Sequence, residues 1–132
     1  MKRIIATTDG SERAGRAVTF ASQMAQCFGA DLTLIHVRKP GAAYPEPAIR
    51  AQAEQAKASV EIVEAEKPAE AICETAEDLD ADAIVIGNYG MSDRKEFLLG
   101  NVPNRVSHQA QCTVIIVDTR DAKDKKRQRR GR

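Results

Sequence analysis

A chain of 132 residues with 42% hydrophobic content is long enough to bury one core and too short for two. No apolar run approaches a membrane span, and Ile4-Ile5-Ala6 stops at Thr7-Thr8-Asp9, so neither a spanning helix nor an export signal is expected and the predicted compartment is the cytoplasm. The formal net charge of +1 is a sum of opposites: residues 120–132 hold eight Lys and Arg against two Asp, net +6, which leaves −5 for the rest.

In chain order, 3–8 reads as a short strand whose consecutive apolar residues Ile4-Ile5-Ala6 suit a sheet covered on both faces. Ser11 can cap a helix with its stripe at Ala14, Ala17, Val18, Ala21, Met24, Ala25 and Phe28, and Gly29 is placed to end it. Leu32 to Val37 is a second strand, Arg38 to Pro47 a loop with three prolines, and Ala48 to Lys57 a modest helix with Ile49, Ala53 and Ala56 on one side. Val60 and Ile62 alternate with Glu61 and Glu64, the pattern of an edge strand.

Pro68 opens the next helix, with Ala69, Ile72, Ala76 and Leu79 as its stripe. Asp82-Ala83-Ile84-Val85-Ile86 is the most buried-looking strand. Asn101 can cap a helix through about Gln111, and Thr113 to Val117 closes the fold as a fifth strand. The alternation β-α-β-α-β-α-β-α-β specifies a parallel sheet with right-handed crossovers and helices on both faces.

Ligands of such sheets bind at the carboxyl ends of the strands, at the point where the strand order reverses. Two of those ends are chemically marked, Thr7-Thr8-Asp9-Gly10-Ser11 and Gly87-Asn88-Tyr89-Gly90, the latter followed after nine residues by Gly100-Asn101-Val102. Gly87 and Gly90 let the backbone approach phosphate oxygens, and Gly100 precedes a helix whose free N–H groups favour an anion. Asn101 can cap as serine does and can donate its amide to a phosphate, Pro103 removes one donor, and Arg94 and Lys95 can add charge-assisted contacts. Taken singly, each residue also fits a plain role: the glycines a turn or a helix start, Asp9 a cap on Ser11. His36 and His108 lie in strand and helix patterns that suggest no catalytic pairing, and no GxxxxGK[ST] loop is present. Cys27, Cys73 and Cys112 show no disulfide or zinc spacing.

Lys2 to Ser11, Ile35-His36-Val37, Gly87-x2-Gly90-x9-Gly100-Asn101-Val102, Leu98-Leu99-Gly100 and Cys112 to Val117 together resemble the universal stress proteins over nearly all of residues 2–117. The resemblance implies a five-stranded sheet in the order 3-2-1-4-5, of the adenine nucleotide alpha hydrolase-like kind. In the nucleotide-binding branch it implies ATP or AMP held across the switch point, with Mg or Mn only through the phosphates. Asp9 matches the acid near the adenosine, Val37 the position whose main chain meets the adenine edge, and Gly87, Gly90 and Gly100 the signature glycines. Thr7, Thr8, Ile86 and Val102 complete the implied nucleotide-binding set. The sequence departs from the family at Asn101, where Ser or Thr is usual, and at Thr7, where proline is common.

The function expected on this resemblance is a nucleotide-dependent regulatory module in a stress response, working through ordering of the 91–99 loop. A dimeric scaffold of the same family that binds no nucleotide is the alternative, and slow ATP hydrolysis a third reading. Thr113 to Val117, an apolar edge, is expected to pair with its copy in a homodimer. The domain is expected to end at 119, with 120–132 a basic disordered tail suited to contacts with polyanions or to solubility alone.

Overall fold

The structure, a computed structural model, describes residues 1–88, 101–123, 125 and 126. Gly90, Arg94, Lys95, Gly100 and the 91–99 loop lie outside the described residues. The strands are β1 (Arg3–Thr7), β2 (Asp31–Arg38), β3 (Ser59–Glu64), β4 (Ala83–Gly87) and β5 (Thr113–Val117). Between them run α1 (Glu12–Phe28), α2 (Glu46–Ala56), α3 (Pro68–Asp78) and α4 (Asn101–Gln109).

All five strands are parallel and lie in the order β3-β2-β1-β4-β5. The central strands are the most apolar: Ile4 to Thr7 of β1 and all of β4 are buried, whereas β3 and β5 at the edges are half-buried. Successive side chains alternate across the sheet and feed two cores. Ile5, Ile35, Ile84 and Ile86 meet Ala69, Ile72 and Val106 of α3 and α4 on one face. Ile4, Ala6, Leu34 and Val85 meet Ala17, Ala21 and Ala53 of α1 and α2 on the other. Small residues dominate the inner sides of α1 and α3, which lets those helices lie close to the strands.

Ser11 caps α1, its hydroxyl accepting from the Ala14 N–H at 3.1 Å, and Gly29 ends the helix with φ +64°. The stripe of α1 is narrower than its apolar spacing suggests, because Phe28 in the last turn is exposed. Helix α2 begins at Glu46, two residues before the expected start. Pro47 sits in its first turn, where a missing N–H costs nothing, so the proline-rich segment ends in helix rather than loop. In α3, Pro68 stands first as expected, while Leu79 is the C-cap residue. Asn101 has helical backbone itself, so it stands inside the first turn of α4 and not at the cap. The segment read as a structureless tail from residue 120 has helical backbone at 122–123 and 125–126, with the Lys125 N–H donating to the Asp121 carbonyl at 3.1 Å.

Candidate functional site

Strand β1 leads outward through β2 to β3, and β4 leads the other way to β5, so the carboxyl ends of β1 and β4 flank the switch point of the sheet. Thr7 closes β1 there, only 5% exposed, and its hydroxyl is buried without a hydrogen-bond partner among the described residues. By strand alternation it faces the same side as Ile5, the side of α3 and α4.

The chain then turns through Thr8-Asp9-Gly10 into α1, and the turn is bonded at every step. The Thr8 N–H donates to the Ile35 carbonyl at 2.9 Å, and the Thr8 hydroxyl donates to Gln52 Oε1 at 2.6 Å and accepts from the Gly10 N–H at 3.0 Å. Gln52 of α2 in turn donates from Nε2 to the Ser11 carbonyl at 3.0 Å. Asp9 Oδ1 accepts from the Ser11 N–H at 2.9 Å, an Asx turn. His36 Nδ1 lies 2.8 Å from the Thr8 carbonyl. A carbonyl only accepts, so Nδ1 carries the proton, and in the neutral ring Nε2 is left as an acceptor. His36 therefore has the structural role that its strand position suggests, pinning the end of β1 to β2.

On the α3 and α4 side of the same edge lies a cleft of about 270 Å³. Val37, Ala65, Pro68, Ala69 and Val102 form its apolar wall, with Arg38, Lys39, Lys67 and Arg105 set against Glu66 and Glu70 around it. Both α3 and α4 present their amino ends here, and no side chain caps α3. Asn101, Arg105 and Gln109, four residues apart along α4, supply a polar stripe. Arg38 is already committed: Nη2 meets Glu64 at 2.6 Å, Nη1 donates to the Ala42 carbonyl at 2.7 Å, and the guanidinium lies 5.2 Å from the centre of the Tyr44 ring. Lys67 pairs loosely with Glu70 at 3.9 Å.

Beyond β4, the Asn88 N–H donates to the Val117 carbonyl at 2.9 Å, and its side-chain Oδ1 accepts from the Thr119 N–H at 3.0 Å. Asn88 therefore ties the start of the glycine motif to the end of β5.

Of the residues singled out from the sequence, Val37, Asn101 and Val102 line the cleft together. Thr7, Ile86 and Gly87 are buried at the strand ends beside it. Thr8 and Asp9 stand apart from the cleft lining, with the Thr8 hydroxyl turned to α2. Gly90, Gly100, Arg94 and Lys95 lie outside the described residues. Gln52, Asn88, Lys67 and Arg105 were not anticipated. For Arg105 a signal existed, its four-residue spacing from Asn101 on a helix that begins at the ligand edge.

The family model described as the universal stress protein family matches this sequence in two overlapping stretches, residues 1–61 and 47–118. The chain belongs to the universal stress protein family. A universal stress protein of Thermus aquaticus is 32% identical over 138 residues, covering 88% of this chain and 98% of the relative. A universal stress protein solved in complex with cAMP superposes with a TM-score of 0.76 at 30% identity, covering 90% of this chain and 98% of the other. The universal stress protein of Archaeoglobus fulgidus in complex with dAMP does so with a TM-score of 0.63 at 26% identity, covering 89% and 98%. As a member of this family, the chain shares its doubly wound sheet, and no helix among the described residues is long and apolar enough to cross a membrane.

Proposed function

We propose that this universal stress protein binds an adenine nucleotide, ATP or AMP, across the carboxyl edge of its sheet, and that a partner protein reads the occupancy during stress in the cytoplasm. The observation that carries this reading is the cleft beside the switch point, where Val37, Asn101 and Val102 meet between the amino ends of two helices. Apolar surface there suits a purine, and helix amino ends suit the phosphates. The family members solved with cAMP and dAMP support it.

In this reading Val37 borders the base, and Asp9 offers the ribose its second oxygen, the first being held by Ser11. Gly87, Gly90 and Gly100 admit the phosphate chain. The Asn101 amide and the Val102 N–H donate to it, with Arg94 and Lys95 adding charge. In the same reading Mg or Mn enters only through the phosphates. Occupancy shifts a partner equilibrium only to the extent that the partner distinguishes the two forms.

A scaffold that binds no nucleotide is the second reading. The engagement of the Thr8 hydroxyl and Asp9 within the turn favours it, as do the departures at Thr7 and Asn101. Calorimetric titration with ATP and with AMP, with and without magnesium, separates the two. Nucleotide binding predicts heat and a thermal upshift that Gly90→Ala and Arg105→Ala weaken by about tenfold or more, which corresponds to about 1.4 kcal/mol. No heat and no thermal shift at millimolar nucleotide would leave the scaffold.

A further inference from the structure

Cys73 and Cys112 lie far apart in the sequence, and the fold brings them to one place. Cys73 stands in the second turn of α3, and Cys112 ends the short bend, residues 110–112, that joins α4 to β5. Both pack against the core beneath α3 and α4, and both line one open cavity of about 160 Å³. Ala76 and Ala81 share its wall with side chains of one carbon each, and the cavity has room for several water-sized molecules. Each cysteine is half-buried, and the Cys73 thiol makes a weak hydrogen bond to the Val106 carbonyl, 3.9 Å from Sγ. Burial raises the pKa of both thiols, and negative charge on Cys112 raises Cys73 further, so the two groups sense each other. One therefore keeps its proton when the other ionises, and a thiolate beside a thiol is the state from which a disulfide forms.

We propose that Cys73 and Cys112 are a modification site, a thiol pair that hydrogen peroxide converts to a reversible intramolecular disulfide. One thiolate attacks an oxygen of the peroxide, the O–O bond breaks, and the sulfur becomes a sulfenic acid while hydroxide takes a proton and leaves as water. The second sulfur then attacks the sulfenic sulfur, gives up its proton and expels a second water. Two thiols and one peroxide thus yield one disulfide and two waters, the sulfurs losing the two electrons that the peroxide gains. Cys112 sits in the bend rather than in a helix or strand, so the bend can shift to close the bond. Cys27 takes no part, because it is exposed in the last turn of α1, which packs on the opposite face of the sheet. The bond closes a covalent loop from α3 to the root of β5 that holds β4, the glycine motif and α4. The inference is independent of nucleotide binding in the cleft.

Peptide mapping by mass spectrometry after treatment of the folded chain with excess hydrogen peroxide tests it, on the parent and on Cys27→Ser, which keeps only the pair. The expected product of Cys27→Ser is a monomer lighter by two hydrogens, with a peptide joining residue 73 to residue 112 that dithiothreitol separates. The parent yields the same joined peptide. Its oxidised form melts a few degrees above the reduced form, because the closed loop restricts the unfolded chain. Cys73→Ser and Cys112→Ser, each added to Cys27→Ser, give no joined peptide and instead gain oxygen at the cysteine that remains. Oxygen gained at Cys73 or Cys112 of Cys27→Ser without a joined peptide overturns the inference. So does survival of both thiols, a bond between two chains through either residue, or a joined peptide that forms only in urea.

Discussion

Thr7 holds a buried hydroxyl group at the carboxyl end of β1, and no described residue satisfies it. Leaving such a group unpaired costs about 1–3 kcal/mol, and valine has nearly the same shape without the polar atom. Thr7→Val is therefore expected to raise the stability of the ligand-free protein by about 1 kcal/mol, seen as a Tm higher by a few degrees. A lower Tm would mean that the hydroxyl already has a partner worth keeping. Carboxylates offer a second test at this scale. The Arg120 guanidinium and backbone N–H hold Asp118 well below the ordinary carboxylate range, and the backbone N–H groups of Lys2 and Arg3 lower Asp82 at the opposite edge. A carboxyl whose folded value is depressed binds fewer protons folded than unfolded. Its stabilisation is present above the ordinary pKa near 4 and is lost as pH falls toward the folded value. Urea midpoints measured from pH 7 to pH 2 should fall less steeply below about pH 4 for Asp118→Asn than for the parent. Equal acid slopes would show that the Arg120 contact does not survive in solution.

The β1-to-α1 turn shows how an element boundary becomes a tertiary contact. Gly10 has φ +80°, and a Cβ there would lie 3.1 Å from Pro45 Cγ and 3.2 Å from Ala48 Cβ at the start of α2. Gly10→Ala combines a strained backbone with crowding against another helix, so a loss of about 2 kcal/mol in chemical denaturation is expected. A loss below about 0.5 kcal/mol would mean that α2 yields at no cost. The helices with strong local punctuation were legible: Ser11 and Gly29 bound α1, and Pro68 opens α3. The start of α2 was hidden because Pro45-Glu46-Pro47 has loop composition, while its geometry is that of a helical first turn. Asn101 has helical backbone rather than that of a cap, because a good capping residue is also tolerated inside a first turn and composition does not distinguish the two.

At the scale of the molecule, β5 is the exposed consequence of the topology. It pairs with β4 alone among the described strands, and Ile116 is 43% exposed on an apolar strand. An edge of this kind is a template for a second strand, and we propose that two copies meet there as a homodimer. Sedimentation equilibrium should show a dimer for the parent chain and a shift toward monomer for Ile116→Lys, which places a charge on that edge. A monomeric parent at micromolar concentration would remove the proposal. The alternation of elements, the parallel sheet and the two-faced core follow from features carried within short stretches of sequence: apolar runs, three- and four-residue spacing, and glycine or proline punctuation. The order of strands, and with it the switch point, is implied only by the resemblance to the universal stress proteins. The state of the candidate site follows from neither. Thr8 and Gln52 are 44 residues apart, Gln52 and Ser11 are 41 apart, and Asn88 and Thr119 are 31 apart. Those bonds exist because parallel crossovers return each strand to the same edge. Sequence pattern therefore marks which residues arrive at the carboxyl ends, whereas packing assigns Thr8, Asp9 and Asn88 to hold the edge together and leaves Val37, Asn101 and Val102 facing the cleft. A local pattern specifies backbone and burial, but a hydrogen bond needs two groups at one point in space, which folding alone brings together.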